Sequence, residues 1–316
     1  MSSSSLALAG LLFCVALLTG CATPQVGALL AGRPAGLPDR AEIADAPYYP
    51  QEMYQCGPAA LATVLTYQGA ATTPDALAAS VYLPGREGAL QAEMLSGARR
   101  AGYVAYRLAP RLDDLLREVA AGTPVVVLQN LTFNFAPKWH YAVAVGYDIG
   151  REELVLRSGT TRRLTLTLSN FERTWARSGY WAMVAMPPDR LPATASEERY
   201  VESVAALERV SVAAAREAYA TALTRWPGNL FALLGAGNTA YAMKDIAAAE
   251  AAYRRAAAAH PQSADAWNNL AQALLELGRR DEARTAVDRA LQLGGPRIAV
   301  YRSTRDAVLE EGAGRR

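Results

Sequence analysis

Hydrophobic and polar positions divide this chain into regimes of different period. Residues 6–18 form an almost unbroken apolar run, too short to span a bilayer comfortably. Residues 22–42, rich in Ala, Gly and Pro with little periodicity, predict a flexible tether. After Cys56, the apolar residues Ala59, Ala60, Leu61, Val64 and Leu65 recur at helical spacing, with Pro58 suited to a first turn and Gly69 to a stop. Further helices are predicted at 74–80, 90–100 and 112–120, and a short strand at 103–108. Short β-type runs follow at 124–129, 140–147, 153–157, 163–168 and 180–185. A helix at 169–177 sets Phe171 and Trp175 four apart. Helices first and strands afterwards predict an α+β domain over 43–190, its helices packed on an antiparallel sheet.

From 196 to 316 the pattern is almost wholly helical, and it repeats. Ala215, Ala249 and Ala283 stand 34 apart, as do Tyr219, Tyr253 and Val287, and the pairs Trp226-Pro227 and His260-Pro261. That period, with small residues where paired helices would touch, resembles the tetratricopeptide repeat. The likeness is good over 229–293 and weaker for a first unit at 196–228. Residues 297–309 read as a closing helix over the last apolar face. The second domain is therefore expected to be all-α.

Charge adds little: the net is +2, and no basic stripe with interleaved aromatics points to nucleic acid. Neither a phosphate-binding Gly-x-x-x-x-Gly-Lys-Ser/Thr loop nor a His/Cys/Asp cluster at metal spacing occurs, so no cofactor or metal is expected. The cysteines say more. They are Cys14, Cys21 and Cys56, and the first apolar run ends in Leu18-Thr19-Gly20-Cys21, which resembles a bacterial lipobox. The leading Met-Ser-Ser-Ser-Ser departs from that pattern in lacking Lys or Arg; an ordinary signal peptide with a coincidental cysteine is the plainer alternative. The lipobox reading makes 1–21 a signal peptide and puts acyl chains on Cys21 as the membrane anchor. With Ala22 following, it implies the outer membrane, facing the periplasm. Cys56 is then the only thiol left in an oxidising compartment, without an intramolecular partner.

Cys56 at the start of an apolar helix faces the positive end of the helix dipole, which favours thiolate. A lone buried structural cysteine is the plain alternative. Of the two histidines, His260 sits beside Pro261 in the slot that Trp226 fills one period earlier, and reads as a loop or packing residue. His140 opens an apolar strand; it is either a packed histidine or, with Cys56, a general base. Gln51 or Gln55 could add a side-chain amide to the Cys56 N–H around an oxyanion. A hairpin turning at 148–151 brings the position opposite His140 to about 159. The residues there are Arg157-Ser158-Gly159-Thr160, without a carboxylate, and Ser158 falls nearest. Asp148 lies in the turn, too far along the strand to serve His140.

The run Gln51-x-x-Tyr54-Gln55-Cys56-Gly57-Pro58-Ala59-Ala60-Leu61, followed far downstream by Trp139-His140-Tyr141 and the strand to Asp148, resembles the papain-like cysteine peptidases of the bacteriocin-processing, double-glycine-leader type. The likeness spans about 48–187. It implies Cys56 as nucleophile, His140 as base and Gln51 as oxyanion donor. Gln51 stands five before the cysteine where members often show six, which keeps Gln55 open. Members usually carry Asp as the third residue; here Ser158 is the tentative third member. The implied function is a lipid-anchored cysteine peptidase acting on a periplasmic peptide or protein, its repeats recruiting substrate or a protein partner. The alternative is a catalytically impaired papain-like binding module beside a repeat scaffold in an envelope complex. Acyl or amide transfer would use the same thiol.

Overall fold

The computed structural model describes residues 23–50, 55–86 and 88–313. The expectations placed on 1–21, on Cys21 and on Gln51 lie outside the described residues. The chain divides into two compact units, one holding residues up to 97 with 107–185 and 192–194, the other 98–106, 186–191 and everything from 195.

The first unit opens with α1 (Pro24–Ala31) and β1 (Arg40–Glu42), then α2 (Cys56–Tyr67), α3 (Pro74–Val81) and α4 (Gln91–Arg100). After β2 (Val104–Arg107) come α5 (Leu112–Ala120), β3 (Val125–Asn130), β4 (Trp139–Asp148), β5 (Glu153–Ser158), β6 (Thr161–Thr167), α6 (Leu168–Ala176) and β7 (Ala182–Met186). Strands β7, β3, β4, β5 and β6 lie side by side in that order. The pairs are antiparallel, and β1 adds to β4 beyond the end of β3. Helix α2 is buried at every position from Gly57 to Leu65, as expected of a helix apolar all round. Gly69 ends it at φ +96°, a backbone that glycine adopts without strain.

The flexible tether expected over 22–42 is overturned. Residues in it form α1, with Val26 and Leu29 buried, and β1, paired with β4. The cause is a distant carboxylate. Glu172 of α6 is fully buried and accepts the N–H groups of Gln25 (3.0 Å) and Val26 (2.8 Å). Those groups head α1 and have no partner within the helix, and an anion is favoured there. Gln25 also donates from Nε2 to Pro110 O and accepts from Leu112 N.

The second unit carries the repeats as α7 (Glu197–Glu208), α8 (Val212–Arg225), α9 (Leu230–Ala242), α10 (Ile246–Ala259), α11 (Ala264–Glu276), α12 (Arg280–Leu293) and α13 (Ile298–Ala313). Caps recur with the period: Ser211 and Asp245 accept from Ala214 and Ala248, and Asn229 and Ser263 from Ala232 and Ala266. His260 is the C-cap of α10, as Trp226 is of α8, and its Nε2 lies 2.6 Å from Gly228 O. Helix α9 is kept slim where tyrosines cross it. A Cβ at Gly235 would stand 2.2 Å from the ring of Tyr219, and one at Gly237 2.3 Å from that of Tyr253.

Two stability changes follow. Glu172→Ala strips two N–H groups of their acceptor, and urea unfolding should show a loss of about 3–6 kcal/mol, charge-assisted bonds counting roughly 1.5–3 each; an unchanged midpoint would restore the tether. Gly235→Ala forces a methyl into the Tyr219 ring and should lower stability by about 1–3 kcal/mol, read by calorimetry, even though Ala is the better helix former.

Candidate active site

Cys56 is the first residue of α2, half-buried, with Gln55 as N-cap. Its neighbour Gly57 allows the helix to come in close: a Cβ there would meet Ala89 Cβ at 2.5 Å, Met94 Sδ at 3.4 Å and the Tyr141 ring at 3.7 Å. The backbone N–H groups of Tyr141, Gly57 and Cys56 itself lie near the thiol and act to favour its charged form. The Tyr141 donor is available for a topological reason. Its cross-strand partner Leu128 turns its N–H the other way, to Trp181 O. In an antiparallel pair both partners then point outward, so Tyr141 N–H projects toward the β5 side. There the β5 pairing begins only at Val143↔Arg157. The end of β5 thus leaves a notch in which the sheet offers a donor near Cys56.

His140 precedes Tyr141 and lies opposite Gln129. Its Nε2 is 2.8 Å from Ser158 Oγ. The register between β4 and β5 shifts at Ala144/Gly146, and continued from Val143↔Arg157 it would set residue 160 opposite His140, one beyond the expected 159. Ser158, the last residue of β5 and buried, still reaches the ring. Two groups hold it there. Tyr48 donates its hydroxyl to Gly159 O (3.0 Å). The buried Arg157 guanidinium donates to the carbonyls of Ala44, Ala46 and Arg162.

The charge states differ from expectation. Burial pushes the Cys56 thiol above its ordinary 9.0, outweighing the three N–H donors; the thiolate that the helix dipole was expected to favour is not the resting form. The dipole is a surface-scale effect, whereas desolvation acts on the whole charge. Burial, with Lys138 adding to it, pushes His140 down from 6.5 to about 4. Both shifts act toward the neutral forms, thiol and imidazole. His140 also links folding to pH: between about 6.5 and 4 the unfolded chain holds a proton that the folded one lacks, so its contribution is whole above 6.5 and lost toward 4.

Gln55 is exposed, and its side chain makes no cap hydrogen bond. Asp148 pairs with Glu153 at the far end of β4, its Oδ1 accepting from Arg151 N. It does not approach His140. The Tyr141 backbone donor had no side-chain signature to betray it. Arg157 did carry a signal, a charge directly after the apolar run Leu154-Val155-Leu156. Behind the sulfur, Tyr141 Oη and Glu93 Oε2 are buried without a hydrogen-bond partner among the described residues.

A neutral resting pair predicts how Cys56 reacts. Its alkylation by iodoacetamide should climb by up to about tenfold per pH unit between about pH 6 and 9, following the thiolate fraction. A flat rate from pH 5 to 8 would instead mean a preformed thiolate–imidazolium pair.

Residues 43–183 match the model of the Peptidase_C39 like family, and residues 234–297 that of a tetratricopeptide repeat. No curated protein matches. Among solved structures, a protein described as a C39-like peptidase from Bacillus anthracis is 19% identical over 47% of this chain and 98% of its own, with a TM-score of 0.40. MamA is 18% identical over 38% of this chain and 82% of its own, with a TM-score of 0.29. The chain thus carries a Peptidase C39-like domain, an antiparallel sheet with helices, followed by a helical tetratricopeptide-repeat region.

Proposed function

We propose that the first unit is a cysteine peptidase in which Cys56 attacks a peptide carbonyl and His140 moves the proton. The observation that carries this reading is the contact between His140 Nε2 and Ser158 Oγ at 2.8 Å, on the strand whose next N–H lies near the Cys56 thiol. A neutral ring has one donor and one acceptor nitrogen. With Nε2–H donating to Ser158, Nδ1 is the acceptor for the thiol proton. Sulfur then bonds to the carbonyl carbon, and the oxygen takes the negative charge beside the Cys56 N–H. His140 returns the proton to the leaving amine, and water releases the acyl group from sulfur. Ser158 acts through the ring as a positioning residue. Gln51 is the side-chain oxyanion donor in this scheme, by resemblance, with Gln55 as the alternative.

The rest of the reading concerns place and partner. Acylation of Cys21 anchors the chain in the cell envelope, at the outer membrane facing the periplasm, where it meets a peptide or protein substrate. The repeats bind a protein partner or the substrate. A groove on that unit, lined by Tyr241, Gln272, Glu276, Arg280, Ser303 and Thr304, offers neutral and charged hydrogen-bonding groups to an extended chain.

A second reading, an impaired binding module, has its own observation: among the described residues no carboxylate accompanies His140, whose charged form is strongly disfavoured. Incubation of the purified full chain with unstructured polypeptides, read by mass spectrometry, separates the two. The peptidase cleaves, and Cys56→Ala and His140→Gln abolish cleavage. Ser158→Ala lowers kcat about tenfold, the weight of one neutral hydrogen bond. Ser158→Asp, by favouring imidazolium, raises it. Silence from the natural chain with cleavage by Ser158→Asp would establish the impaired module; silence from both would end the hydrolytic reading.

A further inference from the structure

We infer that Arg157 and Tyr48 are positioning residues: they tie both neighbours of Ser158 to the strap 43–49, and so aim its hydroxyl at His140 and fix which ring nitrogen is left to take a proton. The chemistry of this role rests on the peptidase reading; the geometry does not.

Arg157 is 3% exposed, and its guanidinium is spread over main-chain carbonyls. Nε donates to Ala46 O (3.2 Å), Nη1 to Arg162 O (2.9 Å), and Nη2 to Ala44 O (3.1 Å) and Ile43 O (3.5 Å). The first, third and fourth of these acceptors lie in one turn between β1 and α2, closed by Ala46 N on Ile43 O (3.3 Å). Arg162 lies in β6, where it and Arg163 stand against the single Arg157 between the pairs Leu156↔Leu164 and Ser158↔Thr161. Irregularities of this kind re-aim the side chains beside them.

None of these acceptors is a carboxylate. Glu42, close by, is taken by Arg163 (2.8 and 2.9 Å). Burial, with Arg162 and Arg163 adding to it, disfavours the charge on Arg157, and Glu42 and Asp45 offset this only in part. A buried cation so placed is a poor source of stability. An apolar side chain would hold the turn against the sheet without that penalty. What it would lack is direction. A planar fork with donors on three nitrogens can serve acceptors on two segments at once, and a point-like ammonium cannot.

Ser158 is thereby held from both sides. Before it, Arg157 grips the turn; after it, Gly159 O accepts from Tyr48 Oη (3.0 Å). The strap is itself fastened twice more. Ile43 N donates to Val145 O (2.7 Å), at the irregular rung of β4 between Ala144 and Gly146. Tyr49 Oη lies 3.1 Å from Thr66 Oγ1 on α2, the helix that Cys56 opens. One strap thus refers the strand end that meets His140 to the helix that carries the thiol. His140 Nε2 is 2.8 Å from Ser158 Oγ. Moving that hydroxyl away by about 1 Å would end the hydrogen bond. A neutral ring released from it can carry its proton on either nitrogen.

The test reads the ring directly, in the purified full chain with nitrogen-labelled histidine. The chain has two histidines, and His260→Gln assigns the signals. Two-bond proton–nitrogen spectra at about pH 8, where a histidine is neutral, distinguish the tautomers. The expected result is a single Nε2–H form in the natural chain. Arg157→Lys keeps the charge and loses the fork, and it should give both forms, as should Ser158→Ala. The double variant should match Ser158→Ala alone. Cleavage should follow: Arg157→Lys lowers kcat about tenfold, and no further once Ser158 is alanine.

A single Nε2–H form that survives Arg157→Lys overturns the inference, whatever the urea midpoint does, because Arg157 then only supports the fold. Mixed forms or an Nδ1–H ring in the natural chain overturn it as well. So do losses of kcat that add in the double variant. Should circular dichroism show Arg157→Lys unfolded, Tyr48→Phe frees the other side of Ser158 without disturbing a buried charge; mixed forms there uphold the inference, and a single form ends it. Failure of the natural chain to cleave bears on the peptidase reading alone, since the tautomer is read without substrate.

Discussion

The first unit depends on how near the amino end of α2 comes to β4. A helix packed on a sheet normally stands off by the thickness of its side chains. At Gly57 that thickness is removed: a Cβ there would meet Ala89 Cβ at 2.5 Å, while Met94 and the Tyr141 ring pack beside it at 3.4 and 3.7 Å. The approach brings one sulfur atom near a main-chain N–H of a strand. It also requires that the strand have such a group to spare, which the early end of β5 supplies. A side chain at 57 would collide with Ala89 and displace the helix end that carries Cys56. Packing and chemistry are here a single requirement.

Local patterns made much of this legible. The apolar spacing after Cys56 foretold α2, and the turn-and-strand pattern of β4 and β5 put Ser158 nearest His140, where it is found. The repeat period was readable because each helix pair must bury the same face against the next. Helices α8, α10 and α12 accordingly begin at 212, 246 and 280. What stayed hidden depends on partners far away in sequence. Helix α1 spans eight residues of weak periodicity, and its cap is Glu172, 147 positions on from Gln25. Strand β1 has three residues and no pattern of its own. The thiol's charge state turned on how much protein surrounds it, which no spacing rule reports.

The two departures from expectation, a serine where a carboxylate was sought and a thiol where thiolate was, belong together. Around Cys56 and His140, burial disfavours charge of either sign: it raises the acid and lowers the base. A carboxylate at position 158, itself buried, would face the same penalty unless the imidazole were charged beside it. A hydroxyl carries no such penalty. It can accept the ring N–H and fix the tautomer, which are the tasks a neutral histidine sets.

The consequence concerns when the proton moves. Where thiolate and imidazolium coexist at rest, attack is the only step left to the transition state. In the proposed peptidase the separation of charge would occur as the carbonyl approaches. The group that then stabilises the complex is whatever meets the new oxyanion, because both resting partners begin uncharged. Three main-chain N–H groups already lie near the thiol before any substrate arrives. They are fixed by α2 and β4 and need no rearrangement. In the proposed reaction, where charge would build on sulfur and pass to the carbonyl oxygen, these groups would offset part of the desolvation that raises the thiol's pKa. A site that rests neutral is in this sense prepared for charge, with its dipoles placed in advance and its carboxylate dispensed with.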